Sequence, residues 1–361
     1  MRMLTAAPDD ALDPATLEPR YGSYRGGLSR IEAGRAARGR FAGFTRVARG
    51  KRWLFLVIAR DPVIATLAIL RFGYASNAFA FVYHAGERRM LAEASSLGPA
   101  SAAYVGDSVG VGGEETRARF RFGRFRASVV RDAGVGGAGG GGPGGGGPGV
   151  GGMAYTVDLA AAGLDLHARL DAAGAPPSIA AVAPVRDGFV ATEKRALLSA
   201  TGEMTIGGRR FTLDDGLAGY DYTQGLLPRR TAWRWAFALG LAKSGEPFAV
   251  NLVEGHVGEP ECAAWTGQDV HPLAEGRFSL DPSHPLEPWR VTTADGGVDL
   301  LFSPGAMHTE TKNLGIVRSR FLQSVGTYEG TVRLGDRPDR PDRSLEVEAM
   351  LGVAEDQDVL W

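Results

Sequence analysis

Cysteine is almost missing from this chain: Cys262 is the only one in 361 residues. A single thiol excludes an internal disulfide and any thiolate metal cluster, and it fits a reducing compartment. An excess of charge is missing as well. Lys and Arg number 40 against 41 Asp and Glu, a formal net charge of -1. No global field recruits a polyanion, so nucleic acid is not expected as a partner. Lysine itself is confined to positions 51, 194, 243 and 312. Long hydrophobic runs are absent too. The most apolar stretch, Trp53 to Tyr83, is broken by Arg60-Asp61-Pro62 and by Arg71. Its longest clean piece, Val63 to Leu70, is far short of the ~20 residues that span a bilayer, so no integral membrane segment is expected. Met1 to Asp10 holds no apolar h-region behind Arg2. No signal peptide is therefore expected, and the chain reads as cytoplasmic.

What is present is a globular composition, 44% hydrophobic and 22% charged, on a chain long enough that two domains are the default. Residues 1–19 are polar and proline-containing and read as a flexible tail. From Phe41 onward, short apolar runs alternate with turn residues. Trp53 to Ile58, Ile64 to Phe72 and Ala78 to Tyr83 are too short for typical helices and rich in β-branched or aromatic types, which predicts strands. Arg119 to Arg126 alternates Arg with Phe about Gly123 and reads as a strand bent at that glycine. Residues 134–152 are almost pure glycine and cannot bury apolar surface, so a disordered loop is expected inside the first domain. Tyr155 to Leu159 and Leu164 to Leu170 continue that domain, and its end is placed near residue 190.

The second half is more regular. Met204-Thr205-Ile206 and Arg210 to Leu213 flank Gly207-Gly208, a pair suited to a type I′ hairpin turn. Thr231 to Ala242 alternates cleanly. Trp233, Trp235, Phe237, Leu239 and Leu241 share one face, and Ala232, Arg234, Ala236, Ala238 and Gly240 share the other. Period two over that length means a strand, whose aromatic face must meet a core or a cavity. Further strands are expected at Trp289 to Thr293, Val298 to Phe302, Ser324 to Leu334 and Ser344 to Leu351. Repeated short strands at this spacing predict an all-β protein of antiparallel barrels or sandwiches.

Motifs for chemistry are sparse. Gly106-Asp107-Ser108-Val109-Gly110 fits the G-x-S-x-G pattern, but no helix follows to make it a nucleophile elbow, and a Gly/Ser turn is the better account. The glycine tract contains G-x-G-x-x-G by composition alone, without a following Lys-Ser or Lys-Thr or a βαβ unit. The histidines at 84, 167, 256, 271, 284 and 308 never fall at metal-binding spacing, so solvated loop histidines are expected, with neither a metal nor a cofactor. One constellation is left: Asp221-Tyr222, Pro228-Arg229-Arg230, Trp233-Arg234-Trp235, Asn251 and Glu254. Desolvation beside indoles would make Asp221 a usable acid. Pairing with Arg229, Arg230 or Arg234 would make it a structural anchor instead. Asp221 is thus the candidate catalytic residue, and Tyr222, Arg230, Trp233, Trp235, Asn251 and Glu254 are the candidate ligand-binding residues.

At these residues the sequence resembles the uncharacterised bacterial DUF2804 family. The likeness runs through Asp221-Tyr222-Thr223-Gln224-Gly225, the Pro228 loop, Trp233-x-Trp235 and Asn251-Leu252. Pro288-Trp289-Arg290, Gly326-Thr327-Tyr328-Glu329-Gly330 and Gly352-Val353-Ala354-Glu355 with Trp361 follow in the family's order. The family usually reads Asp-Trp and then Gly-Arg-Gly where this chain has Asp221 to Gly225, so an arginine is missing here. More distantly, an Asp followed by a loop and a Trp-x-Trp strand is similar to lipocalin-like proteins of the hydroxyneurosporene-synthase and AttH type. That resemblance implies two tandem lipocalin-like antiparallel β-barrels or sandwiches, 20–190 and 191–361, around an apolar ligand. Three roles fit. The first is binding of a lipophilic small molecule. The second is a cofactor-free hydratase, isomerase or cyclase acting on an isoprenoid-like or polyene substrate. The third is a structural or partner-binding role. A cavity beside Trp235 and the polar groups reaching it would separate them.

Overall fold

Apolar residues between Trp53 and Tyr83 fall on consecutive positions instead of alternating, the pattern of strands covered on both faces. The computed structural model, which describes residues 3–109, 116–132, 153–313, 318–335 and 343–361, places them in that way. Strands Gly50–Arg60, Val63–Phe72 and Ala75–His84 pair antiparallel in sequence order. Leu54, Leu56, Ile58, Leu67, Ile69 and Val82 enter one core. Phe55, Val57, Ile64, Ala68, Phe79 and Phe81 enter another. Each residue class follows from the two-residue period of a strand.

Of the described residues, 67% are strand and 6% helix. The first sheet runs from Arg89–Pro99 through the three strands above to Gly216–Leu226, Gly188–Ile206, Leu164–Asp171, Ala154–Ala161, Phe125–Arg131, Thr116–Phe122 and Ala103–Val105. Its last strand comes back against Val63–Phe72, which makes a nearly closed barrel. The second sheet is a half-barrel of nine strands. At its centre Arg230–Leu241 lies between Pro247–Glu254 and Arg343–Leu360, followed by Arg318–Leu334 and Val298–Asn313. The fold is all-β, a nearly closed barrel followed by a half-barrel. The half-barrel's concave face is covered by the outer face of the first barrel, so the two share one apolar cluster.

Several local expectations change. Residue 190 falls within strand Gly188–Ile206, which joins the first sheet; the chain passes to the second sheet between Leu226 and Arg230. Gly188–Leu226 reads like any other strand pair, and pairing with Gly50–Arg60 places it in the first sheet. In the amino-terminal stretch, Thr5–Ala6 pairs with Tyr24-Arg25, and Ala11 and Leu12 are fully buried. Gly123 does not bend one strand. It turns a hairpin between Thr116–Phe122 and Phe125–Arg131, with φ +57. Gly207 and Gly208 have φ +54 and +85, both positive as a type I′ turn needs. The glycine tract 134–152 and Gly110 lie outside the described residues.

Candidate active site between the two sheets

Asp221 lies inside strand Gly216–Leu226, not ahead of a loop, and its side chain points away from that of Tyr222. On the paired strand Gly188–Ile206, Lys194 stands opposite Asp221 and Thr192 opposite Thr223. Period two then puts Thr192, Lys194, Asp221 and Thr223 on the outer face of the first barrel, where the half-barrel covers them. Lys194 Nζ is 2.7 Å from Asp221 Oδ2 and 3.2 Å from Glu261 Oε2. The lysine side chain is only 2% exposed. Burial acts against its charge, but the two carboxylates more than offset this and raise its pKa. Thr192 and Thr223 hydroxyls both lie 3.3 Å from Asp221 Oδ1 and 3.0 Å from each other. The cation that meets Asp221 is thus a lysine. Arg230 forks onto Asp358, and Arg234 binds Glu254 and Asp356.

The half-barrel supplies the opposite wall. Trp233 and Trp235 project from Arg230–Leu241, Phe321 and Gln323 from Arg318–Leu334, and Glu355 and Gln357 from Arg343–Leu360. With Trp53, Phe55 and Phe79 of the first barrel they enclose a narrow cavity of ≈ 70 Å³. That is room for a few waters or the reacting end of a molecule. Its rim carries the half-buried Trp53, Trp233 and Trp361. Trp53 and Trp233 stack at 6.0 Å, and Trp233 stacks on His256 at 5.3 Å. Trp235 meets Phe55 edge-on at 5.2 Å, with Lys194 Nζ 5.5 Å above its indole.

Two carboxyls in this cavity are pushed toward the protonated form. Burial, together with the negative charge of Asp221, raises Glu355 to about 8, although Gln323 and Trp233 oppose the shift by hydrogen bonding. Trp233 Nε1 donates to Glu355 Oε1 at 3.0 Å, and Gln323 Nε2 donates to Oε2 at 3.2 Å. Glu261 is raised as well, by burial first, with Lys194 opposing. His256 goes the other way: burial and then the Lys194 charge lower it to about 4, so its ring is neutral at pH 7.

Of the expected ligand-binding residues, Trp233 and Trp235 line the cavity. Asn251 is buried behind it, accepting from Trp235 Nε1 at 2.6 Å and donating to the Glu261 carbonyl at 2.8 Å. It holds the indole and the loop in register. Tyr222 faces the other core and donates its hydroxyl to the Gly106 carbonyl at 2.8 Å. Arg230 and Glu254 engage in ion pairs outside the cavity. The histidines are not all solvated: His271 and His308 are buried and His256 is half-buried, with His308 stacked on Phe79 at 4.7 Å and 2.6 Å from Glu93. Among the described residues no group of three His, Cys, Asp or Glu side chains is arranged to hold a metal. Asp107, of the G-x-S-x-G stretch, accepts from the Ile31 and Glu32 amides and from Gln224, a loop anchor.

Two curved antiparallel sheets enclosing an aromatic cavity with buried carboxyls and a lysine define a β-barrel protein with an internal polar site. Residues 9–361 match the domain of unknown function DUF2804, and the chain belongs to that family. No protein of curated function matches it by sequence. Among solved structures it is similar to CghA with Sch210972, at 14% identity and TM-score 0.51 over 85% of this chain and 87% of that one. An AttH-type protein of Nitrosomonas europaea shares 11% identity, with TM-score 0.44 over 85% of this chain and 92% of that one. Kievitone hydratase of Nectria haematococca shares 11% identity, with TM-score 0.38 over 88% and 90%. The CghA likeness is one of fold.

Proposed function

We propose that the cavity receives the unsaturated end of a lipophilic small molecule and that Glu355 protonates it, making the protein a cofactor-free isomerase, hydratase or cyclase. The observation that carries this reading is a buried carboxyl with a pKa of about 8, protonated at neutral pH, set among aromatic walls. A carboxyl in that state is a general acid. Gln323 Oε1 has no hydrogen-bond partner; turning that amide over would let the Glu355 proton donate to it. The sequence reading gave the acid's role to Asp221. Asp221, in contact with Lys194 Nζ at 2.7 Å, would supply a counter-charge for the carbocation formed when Glu355 gives up its proton. The π faces of Trp233 and Trp235 would stabilise the same cation. Return of a proton from an adjacent carbon to Glu355 completes an isomerisation, and capture by water, whose surplus proton passes back to Glu355, completes a hydration.

The test is a screen of the purified protein with polyene, terpenoid and enone substrates, read by mass spectrometry, alongside the Glu355→Gln variant. Turnover by the native protein that Glu355→Gln loses supports the assignment, and turnover that survives in Glu355→Gln overturns it. A second reading, binding without turnover, is favoured by the neutralisation of Asp221 by Lys194. A co-purifying lipophilic compound recovered unchanged, with no turnover across the screen, would select it.

A further inference from the structure

A short helix on a globular protein ordinarily turns its apolar stripe inward. Helix Ala42–Arg49 does the reverse and has no buried residue. Phe41, immediately before it, is 61% exposed, Phe44 74% and Val47 49%. These residues recur every third position and lie along one side. The arginines instead tie the helix down. Arg46 Nε donates to the Gly34 carbonyl at 2.9 Å, and Arg49 donates to the Leu227 and Asp187 carbonyls at 3.1 and 2.6 Å. The segment Ala33 to Trp53 contains seven Arg or Lys and no acid, with Arg35 alone of them paired to both Asp10 and the preceding Glu32. Arg38, Arg40 and Arg46 are exposed, with Glu18 at 3.6 Å from Arg38, and the Arg40 guanidinium lies 4.5 Å over the Phe41 ring.

The patch also continues to the cavity rim. Gly73 packs so tightly on the Val47 backbone that a Cβ there would sit 2.1 Å from its carbonyl oxygen. The next residue, Tyr74, is 43% exposed. Lys51 Nζ lies 4.6 Å from the Tyr74 ring and 5.3 Å from that of Trp361, and Trp361 lines the cavity.

We propose that this face docks on the surface of an anionic phospholipid bilayer. Phe41, Phe44 and Val47 enter the headgroup boundary while Arg38 and Arg40 meet lipid phosphates. Outward aromatics ringed by arginines are the pattern of an interfacial helix, since apolar burial and attraction to anionic lipid add. Docking in this pose turns the Trp361 rim toward the acyl boundary. The proposal stands on the surface alone, so its failure leaves the Glu355 chemistry untouched.

The full-length protein is sedimented with vesicles of phosphatidylcholine alone, and with vesicles in which one third is phosphatidylglycerol. Binding to the anionic vesicles is expected, weakening as salt rises, with little binding to the neutral ones. The exposed double variant Phe41→Ser/Phe44→Ser should bind about tenfold more weakly or worse, with its thermal unfolding unchanged. Arg38→Gln/Arg40→Gln should lose the salt dependence. The proposal is overturned by absence of binding to anionic vesicles, or by binding that the serine variant retains. It is also overturned if light scattering finds a dimer abolished by the serine variant in protein that ignores vesicles, which would assign the face to a second copy of the chain.

Discussion

Trp233 donates its indole N–H to Glu355 at 3.0 Å across neighbouring strands of the half-barrel. This contact favours the ionised carboxylate, yet burial and the nearby Asp221 charge outweigh it and lift Glu355 to about 8. The balance decides which state of the site exists at neutral pH, and it can be read without a substrate.

The folded state holds the Glu355 proton more tightly than the unfolded chain, whose glutamate titrates near 4.5. Its stabilising contribution is fully present below that value and is lost as pH rises through about 8. Urea denaturation across this window should therefore show stability falling more steeply in the native protein than in Glu355→Gln. Parallel slopes for the two would remove the elevated acid. Turnover, once a substrate is found, should decline above the same pH.

Removing the buried cation should be severe. Lys194→Met leaves Asp221 and Glu261 facing each other without a counter-charge, which costs ~3–5 kcal/mol by the usual penalty for breaking a buried pair. Neutralising the acids as well, in Lys194→Met/Asp221→Asn/Glu261→Gln, should restore part of that loss. Chemical denaturation of the set measures both effects, and strict additivity would disprove the coupling.

His256, stacked under Trp233, is held neutral, lowered from 6.5 to about 4 by desolvation and then by the Lys194 charge. Its contribution is intact above 6.5 and is lost as pH falls through about 4. At φ +51 asparagine is tolerated, so His256→Asn should fold and should unfold less steeply with acid between those values. Tryptophan fluorescence follows the transition.

Cys262 is buried, and burial pushes its thiol up to about 12. A thiolate-selective disulfide reagent should leave the native protein unreacted for hours and should titrate one thiol once urea is added. Rapid reaction in native buffer would mean that the loop holding Glu261 opens.

Much of the fold was legible in the chain because β structure writes itself in local periods. The Trp233 to Leu241 alternation and the Gly207-Gly208 turn each follow from a few adjacent residues. The site was legible only where it shares such a stretch. Asp221, Trp233 and Trp235 stood out, whereas Lys194, Glu261 and Glu355 come from three separated segments joined only by strand pairing and by the packing of one sheet on the other. Lys194 did leave a signal, being a scarce residue set in a run that is otherwise apolar from Phe189 to Leu198 save for Thr192, Glu193 and Arg195. Tyr222 and Glu254 lie outside the cavity lining for the same reason: neighbours in sequence point to opposite faces of a strand. The outward aromatic face of Ala42–Arg49 gave no fold signal, since Phe44 and Val47 are exposed among the described residues.

Strands Gly50–Arg60, Val63–Phe72 and Ala75–His84 serve as the inner lining of one barrel and the cover of the other. Neither half can therefore melt alone without opening the second half's interior to water. Calorimetry should record one cooperative endotherm for the whole chain. Residues 230–361 produced by themselves should collect in inclusion bodies, as a bowl whose lid was left in the other half of the polypeptide.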